Sequence, residues 1–268
     1  MLRAPAVAGR FYPANPAVLR DDLRSYLSPV QEPVTAIGCI APHAGYIYSG
    51  RIAGAVFSRL KIPARCIVLC PNHTGRGHPL AIIKEGAWRT PLGDVAIDSE
   101  LAERICQAFP ALQDDSEAHG SEHAIEVELP FLQLIRPDVK FVPIAIGTGR
   151  QLLLEQLGEG LSRVVADENR GAVLIIASSD MNHYEDDATT RVKDRRAIDK
   201  VIELDPRALY ETVINESISM CGFGPAVAML AAARRLGAQR AELVEYATSG
   251  EVSGDLEMVV GYAGIIVT

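Results

Sequence analysis

Two hydrophobic rhythms alternate along the chain. Residues 35–40, 65–70, 140–146 and 172–177 are short, nearly unbroken apolar runs, the pattern of strands buried on both faces. Between them apolar residues recur every three or four positions, as on one face of a helix. Val18, Leu19, Leu23, Tyr26 and Leu27 form one such stripe. Ile52, Val56, Phe57 and Leu60 form a second, and Leu152, Leu153, Leu157 and Leu161 another. Asn15 followed by Pro16 predicts a cap and first helical residue, with the helix ending near Leu27 and broken across residues 28–33. Gly50, Ala53 and Gly54 leave one helix face bare, which predicts close packing, here against the sheet. A turn at 91–94 divides residues 88–97, and Asp98 or Ser99 caps the helix carrying Leu101, Ile105 and Phe109.

Residues 122–132 show helical spacing up to Pro130, which should kink this helix or mark a restart because it cannot donate to the preceding turn. On that helix His123 and Glu126 share a face, so both are expected to point into one site. Residues 243–248 and 257–267 read as paired terminal strands, turning through Gly250 and Gly254. Strands alternating with helices predict an α/β fold. The terminal pair makes the central sheet mixed, and the absence of repeats or linkers predicts a single domain over 1–268.

Composition narrows the function. Hydrophobic residues make up 48% of the chain and charged residues 22%, as in a globular protein with a sizeable core. The net charge of −8 argues against nucleic acid as a partner, since broad phosphate binding needs a basic surface. No apolar run has the length of a membrane span. The five cysteines form no regular framework, and the N-terminus carries no signal-like core, so a reducing, cytoplasmic setting is expected. Cys39, Cys66, Cys70 and Cys106 fall in apolar or amphipathic segments and read as core residues. Cys66 and Cys70 have even spacing and face one side of their strand.

The candidate chemistry lies where apolar runs end. His43 follows the first run, His73 the second, and the fourth leads through Ser178, Ser179 and Asp180 to His183. Loops beyond strand ends are where α/β proteins place ligand and catalytic groups. One histidine there could simply bond a carbonyl; its recurrence favours metal binding. Cys221 sits in a glycine-rich turn just before a helix, where the positive helix end is expected to lower the thiol pKa. Asp180 and His183 can form an oriented acid–base pair, or Asp180 can merely cap the chain leaving the strand. His78 and His119 lie in polar loops and suggest no role.

Residues 3–13 (RAPAVAGRFYP), 41–50 (APHAGYIYSG), 71–75 (PNHTG), 122–131 (EHAIEVELPF), 178–184 (SSDMNHY) and 221–225 (CGFGP) resemble the Memo family. Its prokaryotic branch is called AmmeMemoRadiSam system protein B. The motifs are ordered and span nearly the whole chain. The family is similar in fold to class III extradiol ring-cleaving dioxygenases, one α/β domain around a central mixed sheet. The resemblance implies a metal site of His43, His73 and Cys221, with iron(II) as the first expectation and copper or zinc as alternatives. It places Asp180, His183 and His123 around the pocket, with His183 as acid–base residue, and implies radical SAM and AMMECR-type protein partners. Ring-cleaving enzymes use two histidines and a carboxylate, whereas Cys221 stands in the carboxylate's place here. A thiolate is softer and more easily oxidised, so dioxygenase activity does not follow from the fold.

Three readings follow. The first is a metal-dependent, dioxygenase-like oxidoreductase acting on an unidentified small molecule, in which His123 orients the substrate. The second is a non-catalytic metal-binding or adaptor protein. The third is a metal-free thiol enzyme with Cys221 as nucleophile.

Overall fold

The computed structural model describes residues 1–28, 32–169 and 171–268. In chain order its elements are β1 (Leu2–Arg3), α1 (Pro16–Tyr26), β2 (Gly38–Ala41), α2 (Tyr46–Arg59), β3 (Arg65–Pro71), β4 (Leu80–Ile82), β5 (Ala87–Thr90), β6 (Gly93–Ala96) and α3 (Ser99–Ala108). There follow β7 (Gln113–Asp114), α4 (Leu129–Ile135), β8 (Lys140–Ile146), α5 (Gln151–Ala166), β9 (Val173–Ser178), β10 (His183–Glu185) and α6 (Asp187–Ile202). The chain closes with α7 (Pro206–Asn215), α8 (Phe223–Arg235), β11 (Ala241–Thr248), α9 (Gly250–Ser253) and β12 (Val259–Val267).

The unbroken apolar runs become the parallel centre of the large sheet, in the spatial order β2, β9, β3, β8. The C-terminal strand β12 joins antiparallel to β2, and β4 joins antiparallel to β8. The sheet is therefore mixed, as the terminal strands predict. Strand alternation sorts side chains between two helical layers. Ile67 and Leu69 enter the core with Leu101, Leu157 and Val227 of α3, α5 and α8. Cys66, Val68 and Cys70 enter the other core, with Leu19, Phe57 and Phe131 of α1, α2 and α4. Cys66 and Cys70 thus share a face and are fully buried, as their spacing requires.

Several local expectations change. Asn15 caps α1, its side-chain oxygen accepting from the Ala17 and Val18 amides. Of the predicted break at 28–33, residues 29–31 lie outside the described residues. Strand β2 starts only at Gly38, where its pairing with β9 begins. Helix α2 starts at Tyr46, four residues before the glycine, because the Phe11 carbonyl accepts the Tyr46 amide. The bare face of α2 packs on α1, not on the sheet: a Cβ on Gly54 would lie 2.5 Å from the Tyr26 carbonyl oxygen, and one on Gly50 would lie 2.8 Å from its ring. Residues 122–128 form turns, and helix α4 begins only with Pro130 in its first turn. The proline restarts the chain as a helix instead of kinking one. Among the described residues no helix is long and apolar enough to cross a membrane.

Candidate metal centre

The carboxyl ends of β2, β3 and β9 lie side by side, and each parallel strand delivers one predicted group. His43 follows β2, His73 follows β3 and Asp180 follows β9. The turns at 122–128 cross this edge and bring His123 to the same place. One ring nitrogen from each of His43, His73 and His123 lies within 4.8 Å of the others. The rings of His73 and His123 stack at 4.8 Å between centroids, and His43 stands edge-on to both.

The rings of His73 and His43 are held by Nδ1, and that of His123 stands near the carboxylate that holds His73. Glu122, fully buried, accepts the His73 backbone amide at 2.6 Å and approaches its Nδ1 at 2.9 Å. The same carboxylate accepts the His123 and Ala124 amides and lies 3.4 Å from Nδ1 of His123. A carboxylate can only accept, so Nδ1 of His73 carries the proton and Nε2 keeps its lone pair. Anchoring one ring nitrogen so that the other can bind metal is the usual arrangement around a metal site. Nδ1 of His43 lies 2.9 Å from the Ser178 hydroxyl.

The electrostatics suit neutral nitrogen ligands at His43 and His123. Burial pushes the His43 pKa well down, and the other histidines add to this. Burial also lowers His123, against the opposing pull of Glu122. At His73 burial acts downward, but the hydrogen bond and charge of Glu122 outweigh it and the pKa rises. Burial raises Glu122 in turn, yet His73 and the Ala124 amide carry it below the ordinary carboxylate value.

Cys221 lies beside this group, its Sγ 3.3 Å from Nε2 of His43 and 3.3 Å from the Asp180 amide nitrogen that donates to it. The expected low thiol pKa is overturned. Burial and the Asp180 charge raise it well above the ordinary value, and the amides of Asp180 and Gly222 and the Ser179 hydroxyl only partly offset them. Asp180 accepts the His43 amide at 2.8 Å, and burial raises its carboxyl to about 7. His183 donates Nδ1–H to the Ser219 carbonyl at 2.9 Å, which leaves Nε2 free. Ser219 is fixed in turn by the buried Asn182. Burial keeps His183 neutral by lowering its pKa.

His43, His73, His123, Asp180, His183 and Cys221 share one cavity of about 570 Å³, walled by Phe11, Tyr184, Val260 and Tyr262. Tyr184 holds a left-handed backbone, φ 61°, beside His183. The donor set of imidazole nitrogens next to a thiol fits a first-row transition metal.

Glu126 does not share the site with His123 as the helical reading requires. It turns away and receives the N-terminal segment: Arg3, the amides of Ala6 and Val7, and the Tyr12 hydroxyl all donate to it. That segment sets Phe11 against the His123 ring at 4.8 Å. The sequence reading also missed Glu122 and Ser178, although a glutamate directly before His123 was a usable signal. His119 lies in a turn, as expected, but is fully buried against Trp88.

A family model described as Memo-like protein matches residues 3–266. The chain is 42% identical to a MEMO1 family protein of Methanopyrus kandleri, covering 99% of both proteins. It is 39% identical to one of Methanothermobacter thermautotrophicus, over 98% of this chain and 99% of that protein. A MEMO1 family protein of Archaeoglobus fulgidus is 42% identical over 99% of each.

Proposed function

This chain belongs to the Memo family, and on that footing we propose that it is a metal-dependent, dioxygenase-like oxidoreductase acting on a small molecule. The observation that carries the proposal is the convergence of His43, His73 and His123 on one point at the floor of a cavity. Iron(II) is the proposed metal, with copper or zinc as alternatives, and Cys221 is the adjoining soft donor on the His43 side. A bound iron(II) supplies open coordination positions and one-electron chemistry.

The chain's own groups do the remaining work. Glu122 and Ser178 hold the histidine rings. His183, neutral and with Nε2 free, takes up a proton at the pocket wall. Asp180, titrating at about 7, fixes the His43 backbone and can hold or release a proton there. Phe11, Val260 and Tyr262 present an apolar wall that excludes water and suits a compact, partly apolar substrate. Room for such a substrate supports an enzyme over an adaptor that only stores metal. The raised thiol pKa weighs against Cys221 as a metal-free nucleophile, because the thiolate is the reactive form. A reducing cytoplasm belongs to the same proposal, since it keeps Cys221 a thiol.

The test is metal content by mass spectrometry after anaerobic purification, for the wild type and for His43→Ala, His73→Ala, His123→Ala and Cys221→Ala. About one metal per chain, lost in the histidine variants, supports the proposal. No retained metal, and no uptake of added iron(II), copper(I) or zinc, refutes it. Metal kept in full by Cys221→Ala would restrict the ligands to the histidines.

A further inference from the structure

Glu128 is fully buried immediately before α4 and lines no part of the pocket. Its Oε1 lies 3.0 Å from the Ser178 hydroxyl, and its Oε2 is buried with no hydrogen-bond partner among the described residues. Ser178 Oγ has two further neighbours, the Ala124 carbonyl oxygen at 2.7 Å and Nδ1 of His43 at 2.9 Å.

The protons in this cluster can be counted. A serine hydroxyl has one proton to give and two lone pairs to receive with. The Ala124 carbonyl can only accept, and two oxygens 2.7 Å apart need a proton between them. The Ser178 proton therefore goes to Ala124. Both remaining neighbours must then donate to Oγ. His43 does so from Nδ1–H. Glu128 can do so only as a carboxylic acid. An ionised Glu128 would set its oxygen against Ser178 with no proton left to share, and would leave Oε2 as an uncompensated buried charge.

We propose that Glu128 stands as a neutral carboxylic acid donating to Ser178 and so fixes the place of the hydroxyl, whose own proton is committed to Ala124 and which receives Nδ1–H of His43, leaving Nε2 free. Glu128 is a positioning residue: it reaches the metal site only through Ser178. Burial as the leading influence on its carboxyl, and the Asp180 charge nearby, act in the same direction by opposing ionisation; the Ser178 hydrogen bond alone acts against them. Nε2 of His43 then turns its lone pair toward Cys221 Sγ, 3.3 Å away. The use of that lone pair rests on the metal reading, whereas the proton assignment does not.

The infrared difference spectrum between metal-free wild type and Glu128→Gln, recorded at about pH 9 so that Asp180 is ionised, should show a protonated-carboxyl band belonging to Glu128. Nitrogen chemical shifts of the labelled imidazoles should place the His43 proton on Nδ1 in both proteins. In metal titrations with zinc, Glu128→Gln should bind close to wild type, because its amide N–H replaces the acid O–H. Glu128→Leu, with no donor, should bind about tenfold more weakly. The proposal is overturned if the band is absent, if His43 carries its proton on Nε2, or if Glu128→Gln loses metal as badly as Glu128→Leu. Should Glu128→Leu not fold, the wild-type spectra and Glu128→Gln still decide. A wild type that takes up no metal refutes the metal centre alone, and the infrared and nitrogen data then judge the proton assignment by themselves.

Discussion

Replacing Glu126 with alanine should unfasten the N-terminal segment. Its carboxylate accepts from Arg3 Nη1 at 2.7 Å, from the Ala6 and Val7 amides at 2.7 and 3.0 Å, and from the Tyr12 hydroxyl at 2.7 Å. Side-chain exposure of the Arg3–Glu126 pair is 5% and 0%, so water cannot replace what is removed. Breaking a buried pair from one side costs about 3–5 kcal/mol, because the remaining charge is stranded. Arg3 keeps the carbonyls of His119 and Glu122 and the face of Trp88, which favours the lower half of that range. Against this, the amide of Val7 loses its acceptor inside the core, at roughly 1–3 kcal/mol. A total of about 4–7 kcal/mol is a large share of ordinary folding stability. In urea unfolding, with a slope of about 3 kcal/mol/M, the midpoint should fall by about 1 M or more. The double variant Arg3→Met, Glu126→Leu should recover only the charge part, since the two amides still lack an acceptor. A loss below about 1 kcal/mol in Glu126→Ala would refute the reasoning, and so would full recovery in the double variant.

Two further outcomes follow from burial. His119 titrates at about 4, mainly because burial opposes its charged form. Its folded pKa is depressed, so the unfolded chain binds the proton first as pH falls below about 6.5. Stability is thus fully present above pH 6.5 and falls by roughly 3 kcal/mol as pH drops to about 4. His119→Gln should flatten that part of the stability–pH curve relative to wild type, and an unchanged slope would contradict the assignment. Cys221, whose thiol burial and Asp180 raise, should react with iodoacetamide more slowly than free cysteine at pH 7 in metal-free protein. Rapid alkylation there would restore the thiol-enzyme reading.

The strand framework and the three strand-end groups were legible because an unbroken apolar run followed by His or Asp marks a strand delivering a polar side chain. The groups that aim those side chains were not, because their partners converge only in three dimensions. Ser178 meets His43 across 135 residues and Glu122 meets His73 across 49. The helical reading of 122–128 failed for a related reason. Its apolar spacing is real, but Glu122 accepts the amides of His73, His123 and Ala124, and Glu126 is drawn to Arg3 across 123 residues. Those bonds satisfy the backbone in place of a helical ladder. Cys221 misled through magnitude: the helix end acts in the expected direction, but it is a modest influence, and desolvation beside a carboxyl exceeds it.

Residues 122–128 join the stability of the chain to the geometry of its pocket. Glu122 bonds the His73 ring and accepts the backbone amides of His73 and His123, His123 is itself one of the three histidines, Glu126 anchors the segment carrying Phe11, and Glu128 reaches Ser178 behind His43. Three buried acidic groups, at 122, 126 and 128, would be a costly choice for a turn built only for packing, since each must be neutralised or fully bonded. Each is accommodated in a different way, Glu122 by histidine and backbone amides, Glu126 by arginine, backbone amides and Tyr12, and Glu128 by one contact with Ser178. Perturbing any one should therefore change the metal site in a distinguishable manner: ring orientation for Glu122, the pocket wall for Glu126, and the position of the Ser178 hydroxyl behind His43 for Glu128. A uniform effect of all three on global stability, with metal affinity unchanged, would show that the segment serves the fold alone.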